Sequence, residues 1–382
     1  MPPEPRARRC DVDWLRIGAT LLLFPFHAAR PFDHQPWHVK SATMSDGFDV
    51  LVWFIHQFHM PLFFLLAGWS LERSLGSRGI DDVRRERVAR LLVPFLLGVT
   101  FLSPPQAYVE AITQKGFTGS FVAFLPHFFT SLRYFSWHHL WFLIYLFTFT
   151  MLYVRPLSRM RPLATVRPWH VWIAIVPLAL VQVGLRWRWP GLQNLYDDWA
   201  NFAWYSLLFA GGFVLGRSPA LEAEVRRQWK RAAAVFAAGI LAMLPLLATL
   251  REQIVVPGPG YVAYWVLSAV VTVSALAALL GWAARLEDVE RWPFRALREA
   301  ALPLYILHHP VIVLLGYWVV AVDAPIGWRY LGLLATSVIV TFGVYALLVR
   351  RSHVLRAALG MRAAAPRPHP SLAGIVVGGG PR

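Results

Sequence analysis

The chain has little charge and almost no cysteine. Only 15% of its 382 residues are charged and 57% are hydrophobic, whereas soluble domains carry roughly 25% charged residues. A water-soluble fold could not cover itself with that balance, so the composition excludes a soluble enzyme and points to a polytopic membrane protein. Cys10 is the only cysteine, which excludes an intrachain disulfide and a cysteine-ligated metal. Acidic residues are scarce too, 21 against 37 basic ones. There is no internal repeat, which argues against a transporter built from two related halves. No cleavable signal peptide is expected: the first apolar run contains Arg16, lacks a small-residue cleavage pattern and is followed by further spans.

What the chain does have is apolar length. A helix needs ~20 apolar residues to cross ~30 Å of hydrocarbon. The spans read as 13–32, 50–71, 91–112, 138–153, 169–185, 200–216, 232–250, 261–284, 301–320 and 327–349. The predicted fold is therefore all-α, a membrane bundle of about ten transmembrane helices. The outer segment 113–137 is long and aromatic, and suits a re-entrant or interfacial piece.

The net charge of +16 resembles a nucleic-acid signal until its distribution is counted. With the N-terminus inside, 28 Lys and Arg fall on the inner side and 8 on the outer, with Arg16 inside the first span. The positive-inside rule then puts both termini in the cytoplasm, in the cytoplasmic (inner) membrane, with no role for nucleic acid. The organisation is a cytoplasmic N-terminus (1–12), a membrane domain (13–349) and a disordered cytoplasmic tail (350–382) rich in Pro, Ala and Gly.

Ionisable groups within spans are costly and mark functional sites by default. Arg16 and His27 are 11 residues apart on the first span. That is about three turns, so they share one face ~16 Å apart. The alternative is snorkelling to the two interfaces. His56 and His59 share a face just before Pro61, which marks a kink. His138–His139 open the fourth span, and His308–His309 lie near the middle of the ninth. An interfacial histidine belt is the bland reading of the outer ones. The histidine spacings match no metal motif and no clear carboxylate accompanies them, so no metal is expected. On the inner side Arg84, Arg87 and Arg90 repeat at three and suit phosphate oxygens; topology signalling and lipid-headgroup contact explain them equally well. Trp187, Trp189, Trp199, Asp197 and Asp198 cluster in one outer loop, as a sugar-stacking surface or an interfacial belt.

Together these residues resemble the acyltransferase family 3 membrane proteins, which O-acylate extracytoplasmic carbohydrates. Asp13-Trp14-Leu15-Arg16 followed by His27 resembles that family's first-span motif. Met60–Gly68 resembles its second span; Ala67 stands where serine is usual and is given no role. Arg87-Val-Ala-Arg90 resembles its Arg-x-x-Arg element. His139–Leu143 and Pro303–Pro310 look like further hallmarks, and the region from Phe26 to Asp33 resembles the branch with periplasmic glucan succinyltransferases. The likeness runs from residue 13 to about 349.

The resemblance implies acyl-CoA as a cytoplasmic co-substrate, no tightly bound cofactor, and an extracytoplasmic carbohydrate hydroxyl as acceptor. Arg84, Arg87 and Arg90 would bind the CoA phosphates, and the pantetheine arm would pass Arg16. His27 would be the general base, with Asp33 a candidate partner. His139 or His308 would donate to the thioester oxyanion. Transfer through an acyl-histidine stays open beside direct transfer. So does a different class of function, a proton-coupled transporter or flippase of a lipid-linked sugar, since intramembrane histidines serve proton relays as well.

Overall fold

The computed structural model describes residues 9–249 and 255–361. The described residues contain helices and no strand. In chain order the helices are α1 (Cys10–Ala29), α2 (Asp46–His56), α3 (His59–Leu75), α4 (Ile80–Arg87), α5 (Val93–Phe101), α6 (Ser103–Gln114), α7 (Phe121–Thr130) and α8 (Trp141–Ser158). They continue with α9 (Ile175–Leu185), α10 (Trp199–Arg217), α11 (Pro219–Thr249), α12 (Pro259–Ala283), α13 (Phe294–Val319), α14 (Ile326–Val344) and α15 (His353–Ala358). Seven stretches are long and apolar enough to cross a membrane, or eight if the pair Ile80–Phe101 and Ser103–Gln114, bent by 40°, is one span. The sequence reading has ten. The other two correspond to α1 and α10, which have 20 and 19 residues. α1 carries Asp11, Asp13 and Arg16, and α10 is diluted by Asn201, Ser206 and Gly211–Gly212.

Prolines decide where the long helices open. Pro61 has no N–H to give to the Gln57 carbonyl four residues back. The second span breaks there into α2 and α3, and Thr272 Oγ1 of α12 supplies the missing donor to Gln57 O at 2.8 Å. Inside α13, Pro310 likewise leaves the carbonyl of Ile306 without its helical donor.

Helices α3 and α10 touch backbone to backbone. A Cβ on Gly68 would lie 1.8 Å from the Phe209 carbonyl oxygen, and one on Gly212 would lie 1.9 Å from that of Leu65. Small residues allow such close approach where lipid gives no hydrophobic drive between helices. The start of α1 is tied down by charge. Arg9 pairs with Asp11 (2.6 Å), Glu222 (2.6 Å) and Glu287 (2.9 Å), and Arg226 bridges the same two glutamates. This joins the starts of α1 and α11 to the α12–α13 connection, three segments that the charge count also puts on one side.

Two loop-level expectations meet the structure differently. Segment 113–137 contains α7, which is apolar and too short to span; its Phe124 and Phe128 pack on Ala107 and Ala111 of α6. The region after 350 is not wholly an unstructured tail. α15 forms, Arg356 pairs with Glu299 at 2.7 Å, and the Gly360 carbonyl accepts from Arg90 Nε at 3.0 Å. The remainder of that tail, 362–382, and residues 1–8 of the N-terminal segment lie outside the described residues.

Candidate active site

The histidines named by the sequence converge. His27, near the end of α1, and His308, mid-way along α13, meet with His308 Nε2 3.2 Å from His27 Nδ1. The hydrogen-bond pattern assigns the tautomers. His308 Nδ1 faces two carbonyls, Tyr305 O at 2.6 Å and Leu304 O at 3.2 Å. Carbonyls only accept, so this nitrogen carries the proton and His308 Nε2 holds a lone pair. His27 Nδ1 must then donate, to His308 and to the Leu23 carbonyl at 3.2 Å. Among the described residues nothing bonds the Nε2 of His27, whose lone pair is left uncommitted.

Two more imidazoles complete the cluster. His139 stacks on His309 with ring centres 4.6 Å apart, and His309 lies 4.7 Å from His27. His139 Nε2 donates to Ile306 O at 3.0 Å, the carbonyl that Pro310 leaves without a helical donor. Tyr305 donates its hydroxyl back to the His139 carbonyl. Thus α13 grips the entry of α8 at both the ring and the backbone of His139. His309 Nδ1 donates to Gln106 Oε1 at 2.6 Å, and Gln106 in turn donates to Leu102 O.

Several details depart from the sequence reading. Asp33 does not reach His27; it is fully buried in pairs with Arg30 and with Lys40 (2.8 Å). Burial pushes the Lys40 ammonium down from its ordinary pKa. The partner of His27 is His308. As neutral rings, neither His139 nor His308 has an N–H left for an oxyanion: His139 Nδ1 is a buried lone pair without a partner, and both nitrogens of His308 are engaged. His59 is buried against Phe26, and its Nδ1 donates to Ile55 O; His56 is exposed. Asp198 is a structural acceptor for Tyr145, Asn201 and the Gln193 amide, while Trp187 and Trp199 stand exposed. Sequence reasoning missed His38, Glu110 and Gln106. His38 comes from the loop after α1 and pairs with Glu110 of α6 at 2.5 Å. Only its location on the same side as the other histidines hinted at it.

The arginines also gather, though not as one stripe. A π-helical turn, Val88–Leu92, interrupts the α-helical register between Arg87 and Arg90. Arg84 lies 3.8 Å from Asp81, and Arg90 faces Glu86 and Gly360 O. Arg87 has no ion pair among the described residues, and its Nε, like that of Arg84, is buried without an acceptor. The Glu86 carboxylate is near enough to attract it, and Arg90, Arg16 and Arg78 to repel it. Arg16 is itself held by Asp13 (2.8 Å) and Ser70 Oγ of α3 (2.7 Å).

A family profile for an acyltransferase domain matches residues 11–349. The chain belongs to the acyltransferase 3 family. It is 24% identical over 336 residues to the glucans biosynthesis protein C of Salmonella paratyphi B, covering 84% of this chain and 86% of the relative. The corresponding protein of Salmonella enteritidis gives the same values. Over 162 residues it is 30% identical to the glucans biosynthesis protein C of Escherichia coli K12, covering 42% of each chain. No solved structure matches. This membrane acyltransferase thus groups its imidazoles around α1, α8 and α13. Arg87 sits near Arg16, which lies about three turns along α1 from His27.

Proposed function

We propose that the protein is an integral membrane O-acyltransferase. It moves a short acyl group, acetyl or succinyl, from cytoplasmic acyl-CoA to a hydroxyl of an extracytoplasmic carbohydrate, a glucan by analogy with the relatives' names. The inner-membrane location, the ten-span count that includes α1 and α10, and the cytoplasmic termini belong to this reading. They are supported by the 28-to-8 split of basic residues.

The observation that carries it is the uncommitted Nε2 of His27, a ring held by the hydrogen bond that its other nitrogen donates to His308, a residue with a fixed tautomer. A general base needs that arrangement: a lone pair facing the substrate and a third group fixing ring and tautomer. The acceptor O–H breaks toward His27 Nε2, its oxygen bonds the acyl carbon, and the C–S bond breaks. The proton then leaves with the thiolate sulfur. His308 is a positioning residue in this scheme. Arg87, flanked by Arg84 and Arg90, binds the CoA phosphates, and Arg16 lies between them and the base. With no neutral ring N–H for the oxyanion, direct transfer to the acceptor hydroxyl would develop its negative charge beside the imidazolium that forms when His27 takes the hydroxyl proton; a transient acyl-histidine at the same Nε2 is the other route.

The test is release of free CoA by purified, reconstituted protein given acetyl-CoA or succinyl-CoA, with and without a mixed glucan acceptor. Acceptor-dependent thiol release that disappears in His27→Ala is expected. A folded protein that releases no thiol from any short acyl-CoA, yet moves sugar without it, is a transporter instead.

A further inference from the structure

We propose that His38, Glu110 and His138 bind a zinc-class divalent cation. The three come from separate elements: the loop after α1, helix α6 and the turn entering α8. One ligand atom from each lies within 4.8 Å of the others. In a tetrahedral site with bonds near ~2.1 Å two zinc ligands lie ~3.4 Å apart, so the ion would draw in the more distant pairs and take the place of the proton now shared by His38 Nδ1 and Glu110 Oε2 at 2.5 Å.

The second, independent observation is His138 itself. It is 8% exposed, and neither ring nitrogen completes a hydrogen bond; the Ser103 carbonyl approaches without reaching bonding geometry. A buried imidazole with both nitrogens orphaned calls for an unseen partner. Its backbone is also held at φ +48°, a left-handed conformation that a non-glycine residue adopts at a cost, and such strain gathers at ligand clamps. The ring it turns to is His38, 4.6 Å away between centres and nearly perpendicular.

The donor set discriminates among ions. Two imidazoles and one carboxylate suit zinc and its neighbours, not calcium or magnesium, which take oxygen ligands. Three protein ligands leave a fourth position open. Here it adjoins His309, whose ring lies 5.3 Å from His38 and 6.3 Å from His138. Glu110 offers Oε2 to the site while Lys115 holds Oε1 at 2.7 Å. That pair orients the carboxylate, but its positive charge weakens the site relative to a closed structural zinc. The open position would hold an acceptor hydroxyl beside the imidazole cluster. This role rests on the acyl-transfer reading; binding of the ion does not.

The experiment is titration of chelator-stripped, detergent-purified full-length protein with Zn²⁺ by calorimetry, and with Co²⁺ by visible absorption, beside His138→Ala, Glu110→Gln and the control Asp49→Ala. The control removes the other histidine–aspartate group, His34, Asp46 and Asp49. Expected are about one ion per chain, the d–d bands of a four-coordinate cobalt site, loss of that site in both variants and its retention in the control. Zinc binding that survives both variants, or a wild-type protein that binds neither ion, overturns the proposal. If the variants do not fold, the wild-type cobalt spectrum still decides, because octahedral bands alone overturn it. Zinc bound with no acyl transfer from any donor leaves this site standing and removes the functional reading.

Discussion

His308 accepts at Nε2 the proton that His27 carries on Nδ1, across 3.2 Å between two helices 281 residues apart in sequence. The two rings act as one unit. His27→Ala should lower kcat by 10²–10⁴-fold, the usual contribution of a general base. His308→Ala should lower it less, and the double variant should be no worse than His27→Ala alone, since coupled residues are not additive. Steady-state thiol release checks this; additive losses would separate the two residues.

Pro310→Ala restores an N–H facing Ile306 O, the carbonyl now taken by His139 Nε2 at 3.0 Å. The helix gains a bond and the imidazole loses one. Thermal unfolding should stay level or rise while kcat falls by about tenfold, as when an orienting partner is lost. Unchanged kcat would show that the His139 orientation does not matter.

Arg87 makes no direct ion pair among the described residues, and the carboxylate it attracts, Glu86, keeps Arg78 at 2.7 Å when Arg87 is removed. Arg87→Ala should raise the KM for acyl-CoA by about tenfold or more, in keeping with one charge-assisted hydrogen bond of ~1.5–3 kcal/mol, with little change in stability. Arg90→Ala should both raise KM and loosen residues 353–361, since its guanidinium holds Gly360 O. Initial rates against acyl-CoA concentration, with proteolysis of the C-terminal segment, separate the two. An unmoved KM in both removes the phosphate cradle.

Gly68→Ala places a methyl 1.8 Å from the Phe209 carbonyl oxygen. Backbone cannot step aside as a side chain can, so α3 and α10 must part. A loss of about 3 kcal/mol or more is expected, the upper range for overpacking, with a matching fall in unfolding temperature. Gly18→Ala on α1, where a Cβ would meet nothing within 4 Å, is the neutral comparison.

Thr272→Val removes the hydroxyl that serves Gln57 O at the α2–α3 break. Interhelical hydrogen bonds in membranes contribute about 0.6–2 kcal/mol, so the unfolding midpoint should drop modestly with activity kept. A large loss of activity instead would tie the break to catalysis.

Much of the fold was legible because membranes simplify the code. Apolar length and the sidedness of arginine are local properties, so the ten-span reading found every long helix to within a few residues at most ends. It ran short where apolar length was not the criterion. Helix α11 begins at Pro219, well before the apolar run at 232, because charged turns extend a helix beyond hydrocarbon. The break at Pro61 was legible, since a missing N–H is written in the residue; the donor that answers it, Thr272, was not.

By itself the sequence determined composition, span order, the sidedness pattern and the identity of His27, His139, His308, Arg16 and the Arg84–Arg90 group as candidates. Tertiary structure alone decided who faces whom. Asp33, six residues from His27, turned to Arg30 and Lys40, while His308, 281 residues away, supplied its partner. His38 and Glu110 became a pair only when α6 met the loop after α1. The reason is that local signals report on a residue's own helix. Which nitrogen carries a proton, and which carbonyl receives it, depends on groups brought together by packing across helices.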